Sequence, residues 1–288
     1  MRNMHHTLCR MFGVAPLCLA AALPASALML RCPVDSVKVG DVCIDKYEAS
    51  VWQIPSGNTA LIRKVQLGHA TLADLTAGGA TQVSAAFNCG PAFPPTFDAT
   101  GNWTSPLFAV SVAGVKPTSC VTWFQAEQAY ALSGKRLLTN QEWQRAAAGT
   151  ADPGTDDGGT DCNIGGLGRP QDTGSRANCV SNWGTFDMVG NVAEWVAEWT
   201  AQPTECPGWG TFSEDLMCLA GASTTATGPA ALVRGGAFNG TFVEAGVFAV
   251  TAADPARSGQ GIGFRCGRAN ISAPATAPAL VRGAAVSK

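Results

Sequence analysis

Asp187-Met188-Val189-Gly190-Asn191-Val192-Ala193-Glu194-Trp195 leads, through Val196, into a strand. Upstream of it, residues 150–182 form a long Gly/Asp/Asn-rich loop. Inside a compact domain, a loop of that length needs a disulfide or a metal to hold it. Downstream, a second Gly/Ser/Thr-rich loop covers 200–230. Leu232-Val233-Arg234-Gly235-Gly236 and Ile262-Gly263-Phe264-Arg265-Cys266 then read as two strands around a loop-like centre. Elements this short, separated by loops this long, predict a loop-rich α+β fold and not a doubly wound one.

The helical signals lie N-terminal to this region. In Thr122–Leu132, Trp123, Ala126 and Tyr130 recur at helical spacing, and Gly134 suits the C-terminal cap. Thr139-Asn140-Gln141-Glu142 is a capping box that opens a helix through Ala148, ended by Gly149. Residues 31–54 read as a hairpin-like opening. Val37–Ile44 alternates around Gly40-Asp41, and 46–51 continues extended. Residues 55–118, rich in Gly, Pro, Thr and Asn, predict an irregular insertion. No internal repeat is evident.

Composition narrows the function classes. Only 14% of the 288 residues are charged and the formal net charge is −2. That leaves no basic footprint for nucleic acid and little attraction to anionic lipid. At the N-terminus, Arg2 and Arg10 precede an apolar Met11–Leu23 stretch and Ala25-Ser26-Ala27, the pattern of a signal peptide over 1–27 with cleavage near Ala27. An exported protein (periplasmic, cell-surface or secreted) without a transmembrane segment is expected. The domain would run over 28–268, and 269–288 would be an Ala/Pro-rich disordered tail. Cleavage leaves 17 basic against 21 acidic residues, one histidine (His69) and nine cysteines. A multi-histidine zinc site is thereby excluded, and no G-x-S-x-G nucleophile motif is present. His69 reads as a surface loop residue. In an oxidising compartment the spacing suggests Cys32–Cys43, Cys89–Cys120, Cys162–Cys179 and Cys206–Cys218, although spacing alone does not fix connectivity. Cys266 is left over, and its apolar setting reads as a buried, inert thiol. Trp183, Trp195, Trp199 and Trp209 read as core. Arg136 and Arg145 read as ion-pair partners.

Lys46-Tyr47-Glu48, Val121–Phe124, Gly134–Leu137 with Thr139–Trp143, Asp187–Trp195, Leu232–Gly236 and Gly263–Cys266 together resemble, in order, the formylglycine-generating enzyme family, the sulfatase-modifying factor domain. The resemblance implies a C-type-lectin-like fold with short helices and small antiparallel sheets. It does not by itself carry the activity. The oxidases of the family hold copper between two cysteines shortly after Arg-Gly-Gly; here those places fall near Gly240 and Ala245, so no copper is expected. The iron-dependent sulfoxide synthases of the family need three histidines. By the same resemblance, Asp187 and Glu194 would supply carboxylates, and Gly190 and Val192 carbonyls, to a structural calcium ion, a hard-oxygen set of the kind calcium takes.

The C-terminal segment resembles more closely the variable region of proteins diversified by a retroelement, in which a reverse transcriptase alters adenines, chiefly in AAC codons. Arg234–Phe238, Ala245–Ala249 and Ile262–Cys266 would be the fixed pieces. Thr241, Phe242, Val243, Thr251, Ala253, Asp254, Ser258 and Gly259 can all be encoded by codons ending in C that differ from AAC only in their first two positions. Glu244 and Gln260 do not fit. The reading is of a ligand-binding display protein without catalytic residues. Its face over about 237–261 comprises Phe238, Asn239, Gly240, Thr241, Phe242, Val243, Glu244, Thr251, Ala253, Asp254, Arg257, Ser258, Gly259 and Gln260. Phe238, Phe242 and Arg257 would serve as anchors and Phe248 as core. The partner would be a protein or a surface ligand, with oligomeric state left open. The alternatives are a catalytically inactive or accessory family member, and a copper-dependent oxidase acting on protein cysteine.

Overall fold

The computed structural model describes residues 31–83, 107–152, 154, 156–165, 167–221 and 228–268. The proposed signal peptide, the tail and Cys89 lie outside them. Strands β1 (Ser36–Val39) and β2 (Val42–Asp45) pair antiparallel around Gly40-Asp41, the expected hairpin. The hairpin is stapled to the preceding segment by Cys32–Cys43. Strand β3 (Ser50–Gln53) starts a separate sheet.

The described parts of the 55–118 segment, 55–83 and 107–118, are more ordered than its composition predicts. They contain α1 (Thr59–Gln66), α2 (Leu72–Ala77), β4 (Thr81–Val83) and β5 (Leu107–Val110), and both β4 and β5 pair antiparallel with β3. The helices are too short to show a period. The first buries only Leu61 and Val65, and the second only Leu75. Their starts are fixed by caps: Asn58 Oδ1 accepts from Leu61 N at 3.1 Å, and Thr71 and Asp74 form a reciprocal capping box.

Helix α3 (Trp123–Leu132) begins at a Thr122/Gln125 capping box. Two-residue β6 (Arg136–Leu137) follows, then α4 (Asn140–Ala147) on its Thr139/Glu142 box. The 150–182 loop is tied by Cys162–Cys179. Strands β7 (Ala193–Ala201), β8 (Pro229–Arg234), β9 (Val250–Ala253) and β10 (Ile262–Phe264) make one sheet in the order β10-β7-β8-β9. Strand β11 (Cys266–Arg268) joins the other four-stranded sheet between β2 and β6.

Two features depart from expectation. The centre between β8 and β10 is not all loop, because β9 pairs with β8 through Ala231↔Ala253 to Arg234↔Val250. The β10–β7 pair is parallel, an exception to the antiparallel pairing. One run, Ile262–Arg268, leaves one sheet and enters the other, so β11's antiparallel pairing with β2 and β6 also fixes the direction in which β10 meets β7. The fully buried Trp195 and Phe264 face each other across that parallel pair. The resulting architecture is α+β, with short helices and small, mostly antiparallel sheets.

Three disulfides link described residues, the third being Cys206–Cys218. Cys120 is also disulfide-bonded. Such a set belongs to a protein outside the reducing cytoplasm. Among the described residues no helix is long and apolar enough to cross a membrane.

Candidate functional site

Two sites emerge from this frame: a buried charged knot below the Gly190-Asn191 turn, and an open face built on β8 and β9. The knot gathers three carboxylates, of Glu48, Asp187 and Glu194, all buried. Arg265, fully buried, donates through Nε to Glu194 Oε1 at 3.0 Å, and its Nη2 lies 2.9 Å from the same oxygen. Trp143 Nε1 donates to Glu194 Oε2 at 2.7 Å. Asp187 Oδ2 accepts from Gly174 N at 2.7 Å. Glu48 was visible in the sequence only as part of a motif. Its Oε1 accepts from Val192 N at 2.9 Å and its Oε2 from Asn191 Nδ2. Burial raises the Glu48 carboxyl well above its ordinary range, and burial first, then Glu194, pushes Asp187 up to about 6.

The donor set does not fit the calcium ion implied by the resemblance. Both Glu194 oxygens already accept hydrogen bonds from the Arg265 guanidinium, at 3.0 and 3.3 Å, and a second cation there would be repelled. Asp187 and Glu48 are likewise turned toward N–H donors. Among the described residues no group of three or more His, Cys, Asp or Glu side chains is arranged to hold a metal ion.

The open face begins at Arg234-Gly235-Gly236. Gly235 and Gly236 have φ of +83° and +72°. A Cβ on Gly236 would lie 2.3 Å from Ala245 Cα, so the chain can fold back against 245 only with glycine here. Arg234 lies over the Trp143 ring, 4.5 Å from its centroid, and donates through Nη1 to Ala249 O at 2.9 Å and through Nη2 to Val247 O at 3.3 Å. Burial lowers its pKa to about 10. The Arg-Gly-Gly motif therefore clamps the Ala245–Ala249 segment by its backbone, which leaves the residues on either side free to face solvent.

Eight of the fourteen face residues line one open cavity of about 500 Å³: Asn239, Gly240, Glu244, Thr251, Ala253, Arg257, Gly259 and Gln260. Its floor includes Ala193, Val233 and Ile262. Thr241 and Phe242 border an adjoining hollow of about 540 Å³ that shares Asn239 and Gly240. Asp254 and Ser258 are exposed, and Val243 is half-buried.

Two residues do not belong on this face as side chains. Phe238 is only 1% exposed, so it is core and no anchor, and Ala253 packs into the central cluster below the cavity. Phe238 is pulled inward because its N donates to Asn191 O at 2.9 Å while its O accepts from Gly165 N at 2.8 Å. Phe248, expected in the core, is only half-buried and packs edge-on against Phe212 at 4.9 Å. Phe238→Ala should cost about 3–5 kcal/mol in urea unfolding, against under about 0.5 kcal/mol for Phe242→Ala.

Glu244, which does not fit the AAC pattern, has a structural task. Its Oε2 accepts from Thr241 N at 2.8 Å and from Thr241 Oγ1 at 3.0 Å, closing the 241–244 turn.

Near Gly240 and Ala245, where the resemblance would put the family's paired cysteines, the sequence carries no cysteine. Cys266 is buried in β11, where burial raises its thiol well above the ordinary range and keeps it un-ionised. His69 is exposed between α1 and α2. Of the four tryptophans read as core, only Trp195 is. Trp183, Trp199 and Trp209 are about 40% exposed, and Trp199 packs edge-on to Trp123 and Phe124. Arg136 pairs with Glu142 at 2.6 Å and Arg145 with Asp41 at 3.7 Å.

Asp152, exposed but partly desolvated beside the clamped segment, is pushed up to about 6, by that desolvation first and then by Asp215. A folded-state pKa above the unfolded value stabilises below about pH 4, and that stabilisation is lost as pH rises through 6. Asp152→Asn should therefore flatten the fall in stability between pH 4 and 7 by about 1 kcal/mol, after allowing for solvent screening. Urea midpoints across that range would show it.

The sequence profile of the Sulfatase-modifying factor enzyme 1-like domain matches residues 31–270. No curated protein matches the chain. Among solved structures, the chain is similar to PvdO from Pseudomonas aeruginosa, at 20% identity over 79% of this chain and 80% of that one, with a TM-score of 0.43. It is similar to the I1 variant of Major Tropism Determinant at 18% identity over 84% and 55%, with a TM-score of 0.45. To Treponema denticola variable protein 1 it is 17% identical over 79% and 84%, with a TM-score of 0.39. The chain thus spans just over half of that tropism determinant.

Proposed function

The chain belongs to the Sulfatase-modifying factor enzyme 1-like domain family, and from that premise we propose that it is an exported ligand-binding display protein whose face over about 237–261 is diversified by a retroelement. One observation carries this reading. Residues far apart in the segment, from Asn239 to Gln260, converge on one open cavity, while Arg234, Gly236 and Glu244 fix the backbone that presents them. A preorganised backbone lowers the entropic cost of binding, and exposed side chains can change at little cost to stability. The residues that fit the AAC pattern include exposed Thr241, Phe242, Thr251, Asp254 and Ser258, whereas the clamp residue Glu244 does not fit it and Arg234 belongs to the fixed Arg234–Phe238 piece.

The coding DNA tests the reading. A near-repeat of the segment encoding 234–266 beside a reverse transcriptase gene is the expected finding, with differences concentrated at adenines of the template. Flanking DNA without such a repeat would refute diversification and favour a catalytically inactive or accessory role.

A further inference from the structure

The loop closed by Cys206–Cys218 lies outside the 237–261 segment in sequence but is hydrogen-bonded to it along its backbone. Leu216 N donates to Val243 O at 2.8 Å, Val250 N donates to Leu216 O at 3.2 Å, and Cys218 N donates to Val250 O at 2.9 Å. Phe248 N donates to the buried Asp215 carboxylate at 2.8 Å, and Trp209 Nε1 donates to Phe248 O at 3.1 Å. A cavity of about 200 Å³ has Cys206, Leu216 and Cys218 on one side and Glu244 and Thr251 on the other. A disulfide and main-chain bonds therefore hold the loop while its largest side chains face outward: Phe212 is 68% exposed and Trp209 38%.

Charge on this composite surface has one dominant sign. Glu205, Glu214, Glu244 and Asp254 are exposed, and Arg257 is the one exposed cation among the described residues of 203–221 and 237–261. Exposed Trp and Phe on a rigid support are the residue types that concentrate binding energy. A rim of one sign selects partners of the other and speeds their encounter.

We propose that the Cys206–Cys218 loop is the fixed aromatic half of the same face, and that the occupant is a protein surface presenting Lys or Arg around an apolar patch. The proposal rests on the reading of 237–261 as a binding face. A second copy of this acidic chain would meet like charge and is disfavoured.

Three synthetic peptides of about twelve residues test it against the mature protein by fluorescence anisotropy: one alternating Arg with Leu and Trp, one with Glu in place of Arg, and one with Ser in place of Leu and Trp. The first should bind at least about tenfold more tightly than either control, and more weakly as NaCl rises from about 50 to 300 mM. Phe212→Ser, and Trp209→Ser with Phe212→Ser, should each weaken it, the pair by about tenfold. Phe212 is exposed enough that its single variant folds, so the test survives if the pair does not. Equal binding of the Glu peptide, no binding of the Arg peptide, or unchanged affinity in both loop variants would overturn the proposal. Gln260→Lys with Thr251→Lys separates the two readings. If it weakens binding while the loop variants do not, the face stands and the loop inference falls. If only the loop variants act, the loop binds and the 237–261 reading falls. Dimerisation of the protein alone, abolished by Phe212→Ser, would identify a second copy as the occupant and refute the basic partner.

Discussion

Arg265→Met should destabilise the protein by about 3–5 kcal/mol at pH 7.5, because it strands the buried Glu194 carboxylate that this guanidinium pairs with at 2.9 Å. Arg265 touches Glu194 directly and also bonds Asp45 O at 3.1 Å and Phe186 O at 2.6 Å, so the loss reaches β2 and the 186 turn together. By the same arrangement, the parent is expected to be indifferent to calcium. Millimolar calcium or EDTA should leave its melting temperature unchanged, because an internal cation already serves the Glu194 carboxylate. A rise of several degrees with calcium would show that Arg265 yields to a metal. Urea unfolding followed by tryptophan fluorescence measures the first effect, and a thermal melt the second.

Lys135→Met is expected to cost a similar amount, about 3–5 kcal/mol. The Lys135 ammonium is wholly buried between Asp45 Oδ1 at 2.7 Å and Asp35 Oδ2 at 2.9 Å. Asp35 retains Arg268 at 3.2 Å, so Asp45 is the group left without a cation. In the parent, Lys135 and Arg268 hold Asp35 below its usual value against the opposing effect of burial, whereas burial outweighs Lys135 at Asp45 and pushes it up to about 6. A raised folded-state pKa means that the stabilising contribution is present below about pH 4 and lost as pH climbs through 6. Removing Lys135 raises that pKa further. The penalty should therefore be largest at pH 7.5 and shrink toward pH 5, where Asp45 can take up a proton. A penalty independent of pH would mean that lost packing of the lysine stem, and not the stranded charge, sets the cost.

Much of this frame was legible because local chemistry and tertiary contact agree. The Thr139/Glu142 box, the Gly40-Asp41 hairpin and the cysteine pairs at short separation each carry their own signal. The small helices at 59–66 and 72–77 were not legible, because one or two buried residues make no period; their caps define them. Strand β9 was hidden for a similar reason. Val250-Thr251-Ala252-Ala253 carries a single large apolar residue, and its pairing with β8 is a tertiary fact. At the site, the sequence could place Phe238 inside the variable segment but could not show that Asn191 O and Gly165 N turn it inward. The role of Arg265 was likewise unreadable, since its partner lies 71 residues away. The aromatic loop 206–218 announced its disulfide but not its contact with Val243 and Val250, which exists only in three dimensions.

The central claim is that a fixed backbone presents freely changeable side chains. A displayed library randomised at Asn239, Thr241, Phe242, Thr251, Asp254, Arg257, Ser258 and Gln260, sorted first for protease resistance and then for binding to an arbitrary folded protein such as lysozyme, tests it most directly. Most members should fold with stability within about 1 kcal/mol of the parent, since exposed substitutions cost little, and binders should emerge whose affinity follows the randomised residues. A library that loses its fold at these positions, or folds and yields no binder, would contradict the account.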